Sequence, residues 1–386
     1  MSKLKDLINK LCPNGVEFLK LNTFAKIYDG THSTPKYTKS GVKFVSVENI
    51  KNLYGTQKYI SQDDFEKYKI KPQVNDVFMT RIGSIGVCEV IEKNEPLAYY
   101  VSLALIRPDN EIINSKFLKY AIESLHGQKE LRKQTLVHAV PIKINKNAIG
   151  EILIPVPPLS VQEEIVKILD KFTEYNACLA RELELRKKQY AHYSRTLIDS
   201  INNYDSKIVS EICNIVKGKT PIQKARPGKY PLVVTTTVRK SSDEYQFDTE
   251  AVCIPLVSSR GHGIASLNHV YYQSGKFALG NILCALIPKD KELINAKFLY
   301  HFFEEMKDIL VVPLMRGGAN VALHMDDIAK IKIPLPPLEV QEKTVKILDK
   351  FESLCNDLVH GLPAEIEARR KQYEFYRDKL LTFEKY

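Results

Sequence analysis

The sequence contains no paired-cysteine motif. Its seven cysteines (Cys12, Cys88, Cys178, Cys213, Cys253, Cys284 and Cys355) lie scattered, with no C-x-x-C and no histidine partner at zinc spacing. That excludes the common structural zinc modules, and an odd, dispersed set fits reduced thiols that fill a core. No apolar run reaches bilayer length either. The longest candidate, residues 277–288 (FALGNILCALIP), is short and is interrupted by Asn281. The opening MSKLKDLINKL spaces Leu4, Leu7, Ile8 and Leu11 as a helix would, but it sets lysine and aspartate among them, so it does not read as a secretory signal. These absences predict a cytoplasmic protein that stays out of the membrane.

Catalytic signatures are missing too. Residues 217–220 (KGKT) invite a phosphate-loop reading, yet that motif needs glycine at 213, where Cys213 stands. Pro221 follows at once, where a helix should begin. No Asn/Asp-Pro-Pro-aromatic stretch marks an amino-methyltransferase site, since Pro157-Pro158 and Pro336-Pro337 are followed by Leu159 and Leu338. His32, His138, His262 and His324 fall in loop-like stretches with no cysteine or carboxylate at ligand spacing. The expectation is a non-catalytic chain with no metal of its own.

Charge points to a partner. Among 386 residues, 56 Lys and Arg face 46 Asp and Glu, a net charge of +10 with apolar and charged fractions of 44% and 26%. The length suits two or three domains with proper cores, and the basic surplus favours a polyanion. A merely basic housekeeping protein is the bland alternative.

What the chain does contain is a duplication. Residues 154–172 (IPVPPLSVQEEIVKILDKF) recur as 333–351 (IPLPPLEVQEKTVKILDKF), identical at 15 of 19 positions with an offset of 179. Residues 113–117 (INSKF) recur as 294–298 (INAKF) at offset 181, each opening a short predicted helix, and Lys188-Gln189-Tyr190 recurs as Lys371-Gln372-Tyr373 at offset 183. Upstream, Gly30-x-x-x-Thr34-Pro35 has a shortened counterpart in Gly218-Lys219-Thr220-Pro221. Self-similarity on this scale implies two copies of one unit.

Each copy ends in a predicted long helix. Ser160 and Glu163 form a capping-box pattern just after Pro157-Pro158, while Glu339 takes the serine's place in the second copy. Apolar positions then run Val161, Ile165, Ile168, Phe172, Tyr175 and Leu179, the narrow stripe of a coiled-coil seam. An extra step of four leads to Leu183, Arg186, Tyr190, Tyr193 and Leu197. The second copy has Val340, Thr344, Ile347, Phe351, Leu354 and Leu358, then Gly361-Leu362-Pro363, then Ile366, Tyr373, Tyr376 and Leu380. The change of offset predicts a four-residue insertion inside one helix. Two helices of roughly 40 residues, about 60 Å each, would pair antiparallel about a pseudo-twofold axis. The bland alternative packs each helix on its own domain.

The predicted fold class is α/β, with domains at 1–155 and 203–334 and helices at 156–202 and 335–386. Residues 42–47, 76–80, 98–106, 152–154, 252–257 and 282–287 read as strands. Polar, basic loops follow corresponding strands. In the first domain they carry Thr31, His32, Ser33, Thr34, Lys36 and Tyr37 (residues 30–37) and Arg81 and Ser84 (residues 80–86). In the second they carry Lys219, Thr220, Gln223, Lys224 and Arg226, then Thr236 and Arg239, then Ser259, Arg260 and His262, and finally Arg316 and Asn320. Short hydroxyl and glycine residues let backbone approach phosphates, while Arg, Lys, Asn and Gln can read base edges. Any one residue alone reads as an ordinary solvated loop; the argument is the matching placement.

On these residues the chain resembles the specificity subunit of type I restriction-modification enzymes, over essentially its full length. The duplicated P-P-L-x-V-Q-E-x-x-V-K-I-L-D-K-F segments carry the resemblance. Residues 365–381 (EIEARRKQYEFYRDKLL), their partner 182–197, and Cys12-Pro13-Asn14-Gly15-Val16-Glu17 support it. The resemblance implies two target-recognition domains that each read half of a split double-stranded DNA site, with the helices as spacer. It implies methyltransferase subunits, two of them, docked around the helices, and a restriction and translocation subunit joining them. S-adenosylmethionine, ATP and Mg²⁺ would be used by those partners and not by this chain. Two other classes stay in view: a coiled-coil scaffold that ignores DNA sequence, and a stand-alone nuclease or methyltransferase.

Overall fold

The computed structural model describes residues 2–236, 240–261, 263–357 and 359–386. The chain's packing divides it into two compact units, Met1–Leu179 with Ile366–Tyr386, and Ala180–Glu365.

The first unit opens with α1 (Ser2–Leu11), which buries Leu4. There follow β1 (Phe18–Lys20), β2 (Ala25–Asp29), β3 (Val42–Val45), β4 (Tyr59–Ile60), α2 (Gln62–Glu66), β5 (Val77–Thr80), β6 (Cys88–Val90), β7 (Leu97–Tyr99) and β8 (Leu103–Pro108). Then come α3 (Ser115–Glu123), α4 (Leu125–Gln134), α5 (Lys146–Gly150), β9 (Leu153–Pro155) and the long helix α6 (Leu159–Ser200). One four-stranded antiparallel sheet has the order β2-β8-β5-β6, β4-β3-β7 form a second in which β3 and β7 run parallel, and β1 pairs with β9. The apolar run 98–106, expected as one strand, is two. Leu103 N donates to Tyr100 O at 2.9 Å across a turn, and β7 and β8 enter different sheets. The run is buried on every side and carries no Gly or Pro, so nothing in its pattern marks the turn.

The second unit repeats this plan with β10 (Ser206–Ile208), α7 (Val209–Ile212), β11 (Cys213–Lys217), β12 (Tyr230–Val233), β13 (Lys240–Ser242), β14 (Phe247–Asp248), β15 (Ala251–Pro255), β16 (Tyr271–Gln273), β17 (Lys276–Leu279) and β18 (Leu283–Pro288). It continues with α8 (Ala296–Met306), α9 (Met325–Ile328), β19 (Lys332–Pro334), α10 (Leu338–Asn356) and α11 (Leu362–Leu380). The sheet β11-β18-β15-β16 matches β2-β8-β5-β6, the parallel pair β12 and β17 matches β3 and β7, and β10-β19 matches β1-β9. This is a mixed α/β repeat.

The duplicated motif has a physical cause. Pro158 O accepts from Val161 N and Gln162 N at 2.9 and 3.1 Å, and Pro337 O does the same for Val340 N and Gln341 N. The helices therefore begin at Leu159 and Leu338, and Ser160 already lies in the first turn instead of capping it. Gln162 and Gln341 are fully buried. Gln162 Nε2 donates to Pro157 O (2.7 Å) and Ile112 O (3.0 Å), while its Oε1 accepts from Asn114 N (2.8 Å). Gln341 makes the same three bonds to Pro336 O, Leu293 O and Asn295 N. One amide thus satisfies three backbone groups that could not reach water. Asn114 and Asn295 cap α3 and α8 with their side chains. The aspartate of each I-L-D-K-F segment completes the joint. Asp170 holds Lys116 (3.1 Å) and the Tyr120 hydroxyl (2.6 Å), and Asp349 holds Lys297 and His301 (2.9 Å for the histidine). Burial, and then the bond to Asp170, push the Tyr120 phenol well above its usual range, so it stays a neutral donor.

The seam is more divided than its spacing implied. Val161 and Ile165 are fully buried, together with Val166 and Leu169, in the first unit's own core. That broad face belongs to the domain's core, onto which Tyr373, Leu380 and Leu381 of the C-terminal segment also pack. Further along, helix meets helix. Phe172 stacks on Tyr376 (5.4 Å between ring centroids), and Arg369 lies over Tyr175. The rising and falling numbers make this pairing antiparallel. Leu179 is also buried. In the second unit Phe351 stacks against Tyr190 and Tyr193 at 6.3 and 5.6 Å. There the buried positions of α10 are Gln341, Thr344, Val345, Leu348 and Cys355, so Val340 and Leu354 are only half-buried and Ile347 is 40% exposed. Ile347 is no seam residue: α10 turns its 341-344-345-348 face to its own domain, which rotates Ile347 outward. Leu358 lies outside the described residues. The C-terminal helix is also not continuous. It stops at Asn356 and restarts at Leu362, with the Asp357 carboxylate accepting from Val359 N and His360 N between. The last residues return to the first unit, where Val16 N donates to Glu384 O (2.8 Å) and Tyr386 N to Val16 O (3.1 Å).

Candidate nucleic-acid interface

In the first unit β2 ends at Asp29, and Gly30 passes against the next sheet. A Cβ there would lie 2.5 Å from the Tyr100 carbonyl carbon, and Thr31 bridges to Tyr100 in parallel. In the second, Gly218 lies against Gly280, where a Cβ would meet the carbonyl oxygen at 2.1 Å, and Thr220 bridges to Gly280. The shared glycine is thus a packing requirement at the root of both loops.

Thr31, Ser33, Thr34 and Lys36 line one cleft of about 600 Å³, together with Lys67, Lys69, Tyr68 and Lys146. Thr31 Oγ1 bonds within its own turn to Ser33, and His32, Lys36 and Tyr37 are exposed. Lys67 is paired with Asp64 (2.6 Å). Burial pushes the Tyr68 phenol up to about 12, which keeps it a neutral donor. Lys67, Lys69 and Lys146 had not been picked from the sequence; their only signal there is basic character in stretches distant from the loop.

Ser84 is exposed on the 80–86 loop, but Arg81 is not available to a base. It is 7% exposed, its Nε donates to Ile144 O (3.2 Å), and its guanidinium pairs with Asp29. The expected DNA contact becomes a brace joining three segments.

The second unit brings Lys219, Thr220, Lys224 and Arg226 together beside Asp243, Glu244 and Gln246. Gln246 pins the loop, accepting from Lys219 N and donating to Lys217 O, both at 2.9 Å. Gln223 is exposed on the same turn. Thr236 lines a different cleft, with Asn268 and Lys297. Ser259 and Arg260 are exposed, and the Ser259 hydroxyl accepts from Asn268 N (2.9 Å). Their loop joins the 316–322 turn, since Ser258 N donates to Val321 O (3.0 Å) and Arg316 pairs with Ala322. Arg316 and Asn320 are exposed at that turn. Arg239 and His262 lie outside the described residues.

Matching hydrogen bonds reveal an element with no place in the sequence-based set. Leu136 N donates to Lys143 O (2.8 Å) as Arg316 N does to Ala322 O (2.8 Å). The hairpin 136–143 therefore occupies in the first unit the place of the 316–322 turn in the second.

Among the described residues one group, His301, Asp349 and Glu352, has ligand-type atoms within 4.8 Å of one another. These atoms are already engaged by Lys297, by each other and by the Tyr300 hydroxyl, which donates to Glu352 (2.7 Å). The group anchors α8 to α10. No helix among the described residues is long and apolar enough to cross a membrane.

Residues 13–185 and 202–368 each match the model of the type I restriction modification DNA specificity domain. A type I restriction enzyme specificity subunit of Escherichia coli is 34% identical over 384 residues, covering 94% of this chain and 90% of that one. A Haemophilus influenzae chain of the same designation is 36% identical over 269 residues, covering 62% of this chain and 66% of that one. In fold, the chain is similar to the crystal structure of the type I restriction-modification S subunit from M. genitalium, with a TM-score of 0.60 at 17% identity, covering 96% and 97% of the two chains. With a family match over both repeats and this relative aligned along nearly its whole length, the chain belongs to the type I restriction-modification DNA specificity family.

Proposed function

We propose that the chain reads a bipartite double-stranded DNA sequence for a type I restriction-modification complex, each α/β unit taking one half-site. One observation carries this reading: both units raise polar and basic side chains on loops rooted at equivalent strand ends, Ser33, Thr34 and Lys36 after Asp29 and Lys219, Gln223 and Lys224 after Lys217. Phosphate contacts from such loops position a protein, and side chains at base edges specify the sequence. As a specificity subunit the chain recognises DNA and leaves the chemistry to its partners. Methyltransferase subunits, two in number, dock around the helices, and a restriction subunit joins them in the cytoplasm. S-adenosylmethionine, ATP and Mg²⁺ belong to those subunits. The helix α6, with Val161 and Ile165 in one core and Ile198 in the other, is the element suited to set the half-site spacing.

The test is a domain exchange. Residues 205–334 are replaced by the matching segment of a relative, and the methylated sequence is read across a host genome. One half of the site changes and the other stays. A simultaneous change of both halves would rule out independent reading units, and methylation without sequence preference would rule out the specificity role.

A further inference from the structure

The hairpin at 136–143 differs in chemistry from every other loop in the candidate interface. Leu136, Val137, Val140 and Ile142 expose 44%, 60%, 99% and 41% of their surfaces. Soluble proteins rarely hold several apolar side chains in water on one tip unless something covers them. The tip is held firmly. Gly83 N donates to Ile142 O (2.9 Å), Ile144 N to Arg81 O (3.0 Å), and Arg81 braces it from below. The second unit makes the equivalent bonds with Ser258 to Val321 and Leu323 to Leu256, and there the tip is Arg316-Gly317-Gly318-Ala319-Asn320. Equivalent elements in the two repeats thus carry opposite chemistry, charged and amide groups in one and aliphatic groups in the other.

We propose that the first unit's hairpin reads DNA by apolar contact, seating Val137 and Val140 against thymine C5 methyl groups in the major groove. The inference rests on the reading of this chain as a DNA specificity subunit. A valine has no donor or acceptor, so it gains nothing from the polar edges of guanine, cytosine or adenine. The thymine methyl is the apolar feature on the major-groove edge. Exposed Arg132 and Lys143 flank the tip, beside Lys133 in its pair with Glu130, and suit it to phosphate rather than to a neutral protein face. Because the hairpin is tied at both ends, little conformational freedom is lost on contact.

The experiment uses the methyltransferase complex assembled with this chain, after methylome sequencing and the 205–334 exchange have assigned the first unit's half-site. Each thymine on either strand of that half is replaced singly by deoxyuridine, which removes only the methyl, and binding is measured. At least one replacement weakens binding about fourfold, the factor that burial of one methyl-sized group supplies. Val140→Ser, at a side chain free of the core, produces the same loss on the thymine duplex and removes the deoxyuridine effect. A half-site without thymine, or deoxyuridine duplexes that bind like the parent, overturns the proposal. So does V140S that impairs assembly with the methyltransferase while leaving the sequence preference intact, since the tip is then a protein contact. Failure of the complex to show any sequence preference overturns the specificity reading itself, and this inference with it.

Discussion

Arg81 and Asp29 face each other as an ion pair at the roots of two exposed loops, with side-chain exposures of 8% and 28%. Removing one partner of a buried pair leaves the other without compensation. Arg81→Ala should destabilise the first unit by about 2–3 kcal/mol, less than for a fully buried pair because Asp29 keeps some water. Arg81→Lys retains the charge but not the second donor direction toward Ile144 O, and falls between. Thermal unfolding reads the first effect, and loosened preference in one half-site alone reads the second.

Gln162→Ala and Gln341→Ala should each cost about 3 kcal/mol, since each strands two carbonyls and an amide hydrogen away from water. Hydrogen exchange would place the damage, speeding at Asn114 N in the first variant and at Asn295 N in the second. Gln162→Glu should be worse than alanine, because a carboxylate cannot donate to Pro157 O and Ile112 O. Equal stability of the glutamate variant and the parent would refute the clamp.

Phe172 and Tyr376 should be energetically coupled. A double-mutant cycle to alanine is expected to return about 0.5–1.5 kcal/mol for the stacked pair, beyond the separate losses of area. A coupling of zero would mean that the rings merely share a surface.

Glu130 gives the first unit an acid-sensitive joint. Burial pushes its carboxyl up, but the Lys133 ammonium and the Leu153 amide, at 3.3 Å, outweigh burial and hold it below the ordinary range. A depressed carboxyl binds fewer protons in the folded chain than in the unfolded one. Its contribution is therefore complete above the unfolded value, near pH 4.3, and is lost as pH falls through the folded value. A pH series of thermal midpoints should show a shallower acid decline for Glu130→Gln than for the parent. Identical slopes would exclude the joint.

The duplication was legible because its identities are those of a joint, in which Gln162 meets Asn114 and Asp170 meets Lys116, pairs that recur as Gln341 with Asn295 and Asp349 with Lys297. What each does was not legible, since a glutamine on a helix reads as solvated until the Pro-Pro turn is seen folding over it. Arg81 misled for a related reason: its partner Asp29 lies 52 residues earlier, and local pattern cannot report that. The hairpin 136–143 was passed over because an apolar stretch is ordinarily core. Seam spacing was ambiguous in kind, for Val161 and Ile165 satisfy it while packing on a domain, and Phe172 satisfies it against a helix. Gly361-Leu362-Pro363 did announce an interruption: α10 ends at Asn356 and α11 begins at Leu362.

The return of the C-terminal residues to the first unit sets an order of manufacture. Leu381 is 2% exposed in that unit's core, with Tyr373, Leu380 and Phe383 against it, and a ribosome adds all four after the whole of the second unit. The second unit is one unbroken stretch, Ala180–Glu365, and every residue it needs has been synthesised before them. Domains usually mature in the order they are encoded. Here the half encoded first waits for residues 366–386, so a chain stopped at Glu365 would have the later half whole and the earlier half unfinished.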